Sequence, residues 1–166
     1  MKTTPRLETA INKLYIAFNN NTLNPECCKH CAVGNILDNK DSWKHLSDEH
    51  GSLALNYIGQ VHESFGRKFN GYSPSELLKI EATFLSEIGY KLPLHHKNDK
   101  PVNPTNKDNL FKGLVGVITV LCQLDHVTNF MDYTSLFEYP KQNFLKERYI
   151  LKNKYDSSTP NNSLPN

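Results

Sequence analysis

Apolar residues recur along the chain at the three- and four-residue spacing of an α-helix. One such stripe covers residues 7–18 and follows Thr4-Pro5, a pair typical of a helix N-cap and first helical position. A second covers residues 77–88, follows the capping box Ser73-Pro74-Ser75-Glu76, and ends before Gly89. These start and stop signals predict two helices, each with one apolar face.

A third apolar run, residues 110–124, is hydrophobic almost all the way round, as expected of a helix buried on several sides. Thr105 and Asp108 mark its predicted start. The β-branched residues between Val115 and Val120 would also suit a buried strand, but the length of the run favours a helix. We therefore predict an all-α fold, an irregular helical bundle around one buried central helix.

Composition and charge narrow the class of protein without identifying a partner. The chain has 166 residues, 38% of them hydrophobic, and a formal net charge of +2, which gives no reason to expect nucleic-acid binding. We predict one helical domain over residues 1–154 and a disordered tail over residues 155–166. No run approaches the roughly 20 apolar residues of a membrane span, and MKTTPRLETA lacks the apolar core of a signal peptide. We therefore expect a cytoplasmic protein with no membrane span.

Three of the four cysteines, Cys27, Cys28 and Cys31, lie within five residues of one another. Such clustering is a poor framework for a disulfide scaffold and favours reduced thiols. Asn24-Pro25 is typical of an N-cap and first helical position, so we predict a helix over residues 25–37 with the cluster in its first two turns. On such a helix, Cys31 would share a face with Cys28 or with Cys27.

The cluster and the third apolar run together supply a candidate metal site. Cys122 and His126 are four residues apart and would lie on one helix face. With Cys28 and Cys31 they make a set of three cysteines and one histidine for tetrahedral zinc, or an unusual iron–sulfur ligand set. Further possible ligands are Cys27 and His30.

Two other interpretations of the cysteines stay open. A helix start favours thiolate and so thiol redox chemistry, although no strand precedes Cys28-Lys29-His30-Cys31 as it would in a thioredoxin-like motif. Small residues such as Gly34 also suit a close helix–helix contact in which the thiols only pack. The histidines, including His50, are predicted to be solvated, as is Glu81 on its helix.

Three stretches within residues 5–139 carry a resemblance to a known family. They are LNPECCKHCAVGNILDNKDSWKHLSDEH, NGYSPSELLKIEATFL and NLFKGLVGVITVLCQLD. On them the chain resembles small bacterial proteins named after the NADH-oxidising component of Na(+)-translocating NADH-quinone reductase. That name implies electron transfer from NADH through FAD and a ferredoxin-type cluster to a membrane quinone reductase. The chain lacks the cysteine pattern of plant-type ferredoxins, so no catalytic residue is carried over.

Two hypotheses about function follow from the sequence. The first is a small, non-enzymatic helical protein that binds a protein partner and has a possible cysteine and histidine site for a metal or an iron–sulfur cluster. The second is an electron-transfer or redox accessory of the Na(+)-translocating NADH-quinone reductase that uses Cys27, Cys28 or Cys31.

Overall fold

The structure, a computed structural model, describes residues 3–94 and 100–127. These residues contain five α-helices and one 3-10 helix: α1 (Pro5–Asn19), α2 (Ala32–Ile36), the 3-10 helix (Asp41–His45), α3 (Tyr57–Ser64), α4 (Pro74–Ile88) and α5 (Lys107–Leu124). No β-strand occurs in the described residues, where one isolated bridge pairs Phe69 with Tyr72. The all-α prediction is therefore confirmed for this part of the chain, and the predicted tail over residues 155–166 lies outside it.

Helices α1 and α4 begin where the sequence predicts. Thr4 is the N-cap of α1, and its side chain accepts a hydrogen bond from the Leu7 N–H. Ser73 and Glu76 form both bonds of the capping box, and Gly89 ends α4 in the left-handed conformation with φ of +119°. Local interactions thus fix these ends.

Helix α5 is buried along much of its length, which confirms the helix and excludes the strand. It begins after Asn106, one residue beyond the predicted Thr105, and its most extensive packing is against α4. Gly113 permits this contact, because a Cβ there would lie 2.8 Å from side-chain atoms of Phe84 and Ile88. Although α5 is apolar, no helix in the described ranges has both the length and the apolar composition needed to cross a membrane.

An ionic network ties the start of α1 to α4 and α5. Arg6 Nε donates to Asp125 Oδ1 at 2.6 Å, and Arg6 Nη1 donates to Gly71 O at 2.7 Å and to Glu76 Oε2 at 3.1 Å. The Asp125 side chain is only 1% exposed. Arg6 therefore compensates a carboxylate buried at the C-terminal cap of α5.

Helix α3 leaves apolar side chains in solvent. Tyr57 is 79% exposed and Phe65 is 83% exposed. The buried residue of α3 is Gly59, where a Cβ would lie 2.4 Å from Leu46 O. The helical period predicted for this segment is therefore correct, but its apolar stripe does not join the core.

Candidate metal centre

The cysteine cluster lies on a turn and not on the predicted helix over residues 25–37. The Asn24 side chain begins the turn by accepting a hydrogen bond from the N–H two residues later, at 2.9 Å. The Cys27 carbonyl then accepts from the N–H groups of His30 at 3.0 Å and Cys31 at 2.8 Å. Cys31 has an extended backbone and is the N-cap of α2. The prediction is wrong for residues 25–31 because side chains offer this backbone other partners than a helix does.

The Cys31 thiol takes the place of the usual N-cap oxygen. Its Sγ accepts a hydrogen bond from the Gly34 N–H at 3.3 Å and donates to Cys28 O at 3.5 Å. The turn lies directly on Gly34, where a Cβ would come within 2.4 Å of Cys28 O and 2.6 Å of Lys29 O. Glycine alone allows backbone to approach this closely.

Two amide side chains hold the carbonyl groups of the turn. Asn35 Nδ2 donates to His30 O and to Cys31 O, both at 2.9 Å. Asn39 Nδ2 donates to Lys29 O at 2.7 Å and to Asn35 Oδ1 at 3.1 Å. The shape of the turn is therefore set by residues within and after α2.

His50 approaches the turn from the loop between the 3-10 helix and α3. Its Nε2 lies 2.5 Å from Pro25 O, and its Nδ1 lies 3.4 Å from Cys28 Sγ. Because a carbonyl oxygen only accepts, Nε2 carries the proton and Nδ1 presents its lone pair to the thiol. Gly51, with φ of +78°, turns the chain directly after His50.

Glu81 reaches the turn from α4 and is 2% exposed. Its Oε2 accepts from the Val33 N–H at 3.2 Å. Its Oε1 lies 3.8 Å from His50 Nε2 and has no hydrogen-bond partner among the described residues. The prediction that Glu81 is solvated is wrong, because it lies on the apolar side of α4 between Leu77 and Phe84.

Cys31, His50 and Glu81 each place a potential ligand atom within 4.8 Å of the other two. In the part of the chain that the structure describes, these three residues are the group with metal-binding geometry. Cys28 adjoins the group through its 3.4 Å contact with His50. The centre thus combines thiol, imidazole and carboxylate donors.

Burial shifts the proton equilibria of this centre. It raises the pKa of the Glu81 carboxyl group. Burial, reinforced by the nearby Glu81 carboxylate, raises the pKa of the Cys31 thiol well above its usual value. The same two causes raise the pKa of the Cys28 thiol. Both thiols are therefore protonated at neutral pH in the metal-free protein, and a bound cation would displace their protons.

The structure brings together only part of the ligand set predicted from the sequence. Cys31 belongs to the group and Cys28 adjoins it, whereas Cys122 and His126 are not members. Cys122 is buried near the end of α5, where burial and then Asp125 raise its pKa. His126 is exposed and lies beyond the helix, with φ of +55°. The two further possible ligands line a separate cavity.

Sequence reasoning missed His50 and Glu81. His50 lies in a polar loop at no recognisable ligand spacing, so nothing local marks it. Glu81 carried a usable signal, since it is four residues after Leu77 and three before Phe84. A carboxylate at that spacing shares the apolar stripe of its helix and indicates a buried partner.

No family model, curated protein or solved structure matches the chain. The resemblance to the quinone-reductase family therefore stays a prediction.

Proposed function

We propose that the protein binds one zinc ion through Cys31, His50 and Glu81, with Cys28 as the fourth ligand, and that the ion is structural. The observation that carries this proposal is the buried carboxylate of Glu81. Its oxygen without a hydrogen-bond partner lies in one group with a thiol and an imidazole. A divalent cation would compensate the negative charges that burial otherwise penalises.

The distances suit a zinc shell. With Zn–S near 2.3 Å and Zn–N near 2.0 Å, tetrahedral sulfur and nitrogen ligands lie roughly 3.5 Å apart. Cys28 Sγ and His50 Nδ1 are 3.4 Å apart. The hydrogen bond from His50 Nε2 to Pro25 O is the outer contact that metal-bound imidazoles usually make, and it leaves Nδ1 for the ion.

The donor types favour zinc over other metals. Calcium and magnesium take oxygen ligands, so the thiols disfavour them. An iron–sulfur cluster is usually held by four cysteines, whereas Cys28 and Cys31 are the two thiols at this centre. Mixed thiolate, imidazole and carboxylate ligands are typical of zinc.

Burial of the ligands supports a structural rather than a catalytic ion. Cys31 and Glu81 are buried, and the His50 side chain is 15% exposed. Four protein ligands would also leave no position for a substrate. The ion would join the turn of residues 25–31, the loop of His50 and α4. This role agrees with the non-enzymatic hypothesis, and the protein partner stays a prediction.

The contact between Cys28 and His50 also favours a second candidate function, thiol chemistry with Cys28 as nucleophile and His50 as base. A reactive cysteine needs a lowered pKa, whereas burial and the Glu81 carboxylate raise the pKa of Cys28. We therefore rank thiol chemistry below zinc binding.

Cobalt(II) and zinc titrations of the full-length protein test the proposal. The wild type should bind one ion tightly and show thiolate-to-cobalt charge-transfer absorption. Cys31→Ser keeps an N-cap oxygen for Gly34 but loses the thiolate. We expect it to lower affinity roughly 100-fold or more, since even changes outside the ligand shell cost about 10–100-fold.

Cys122→Ser is the matched control, because Cys122 is equally buried but lies outside the group. It should keep wild-type affinity. Loss of tight binding in Cys122→Ser would support the ligand set predicted from the sequence instead. A wild-type protein that binds no tight ion and whose Cys28 reacts rapidly with a disulfide reagent would favour thiol chemistry.

A further inference from the structure

The turn of residues 25–31 carries two pairs of metal-binding side chains in different surroundings. Cys28 and Cys31 adjoin the buried centre. Cys27 and His30 line a cavity instead. Each pair has two intervening residues, the spacing of the short chelating pairs in zinc sites.

The cavity lies between this turn, the end of α1 and the start of α5, and it has a volume of about 380 Å³. Asn21, Thr22 and Thr105 contribute to its lining and are exposed, so the cavity opens to solvent. Among its lining residues, Cys27 and His30 carry the sulfur and imidazole donors that zinc prefers.

The two donors are held on one tight turn, because the His30 N–H donates to the Cys27 carbonyl at 3.0 Å. His30 Nδ1 is buried and has no hydrogen-bond partner among the described residues. Leaving such an atom unpaired costs free energy. The Cys27 thiol is only half-buried and is free of any disulfide. Coordination of a cation would use both groups.

We propose that Cys27 and His30 form a second zinc site, weaker than the buried centre and open to solvent. Two protein ligands leave coordination positions that water fills from the cavity. An ion held in this way exchanges faster than one enclosed by four protein ligands. This inference goes beyond the proposed structural ion and uses none of its non-turn ligands.

Calorimetric titration of the full-length protein with zinc tests the second site. We expect two binding events, the second roughly tenfold or more weaker, given the cost of each lost contact in a metal site. Cys27→Ser and His30→Asn should each abolish the weak event and keep the tight one. Glu81→Gln should do the reverse. Cys122→Ser, which alters a thiol outside the turn, should keep both events.

A second measurement uses the unaltered chain, so it does not depend on how a variant folds. Alkylation of Cys27 by iodoacetamide, followed by mass spectrometry, should slow several-fold at zinc concentrations that fill the weak site. An unchanged alkylation rate, or a weak event retained in both Cys27→Ser and His30→Asn, would overturn the second site. A tight event retained in Glu81→Gln would instead overturn the buried centre.

Discussion

Replacing Gly34 by alanine perturbs the contact on which the centre is built. The new Cβ would lie 2.4 Å from Cys28 O, so the turn would have to withdraw by about 1 Å to reach ordinary van der Waals contact. Overpacking of this kind costs about 1–3 kcal/mol. Withdrawal would also weaken the amide bonds from Asn35 and Asn39, each of which contributes about 1 kcal/mol. Against these losses, alanine favours the helix by about 1 kcal/mol.

The net expectation for Gly34→Ala is a loss of about 2 kcal/mol in the free energy of unfolding, together with weaker zinc binding as Cys28 leaves His50. Urea unfolding followed by circular dichroism measures the first effect. Gly116→Ala is the matched control, because its Cβ would lie 2.5 Å from the flexible, exposed side chain of Glu87 and not from backbone. It should be neutral or stabilising by up to about 1 kcal/mol. Equal unfolding free energies for the two variants would refute the reasoning.

Two further predictions follow from the charges of the molecule. Zinc affinity should rise with pH, because the pKa values of Cys28 and Cys31 are raised and both thiols must lose a proton to bind the ion. Near neutral pH the expected slope is about two log units of affinity per pH unit, and chelator competition that shows a flat profile would contradict it. Arg6→Met should destabilise the protein by about 3 kcal/mol or more, because it leaves Asp125 buried without its cationic partner. Lys13→Met removes only a solvent-accessible pair and should cost less than about 1 kcal/mol in the same urea experiment, so equal losses would count against this account.

The sequence predicted the parts of the fold that local interactions determine. Thr4 at the start of α1 and Ser73 with Glu76 at the start of α4 make their bonds within a few residues of themselves. The predicted helix over residues 25–37 failed because its start signal, Asn24-Pro25, fits a turn equally well. What decides between them is the Asn35 amide, which binds carbonyl groups four and five residues earlier.

The candidate site was predictable only in part for the same reason. Cys28 and Cys31 are close in sequence, so their spacing already indicated a shared site. Glu81 was detectable from its place on an apolar stripe. His50 was not, because packing between distant segments sets its position: a Cβ at the following glycine would lie 2.4 Å from the Leu94 side chain. Such a contact has no signature in the local sequence.

The amide clamps from Asn35 and Asn39 determine how the protein would meet a metal ion. They satisfy the carbonyl groups of the turn without any help from a cation. The chain entropy that a zinc finger loses only when its metal arrives is here lost during folding. Metal-free protein should therefore keep its helices, and capture of the ion should resemble filling a preorganised socket more than coupled folding.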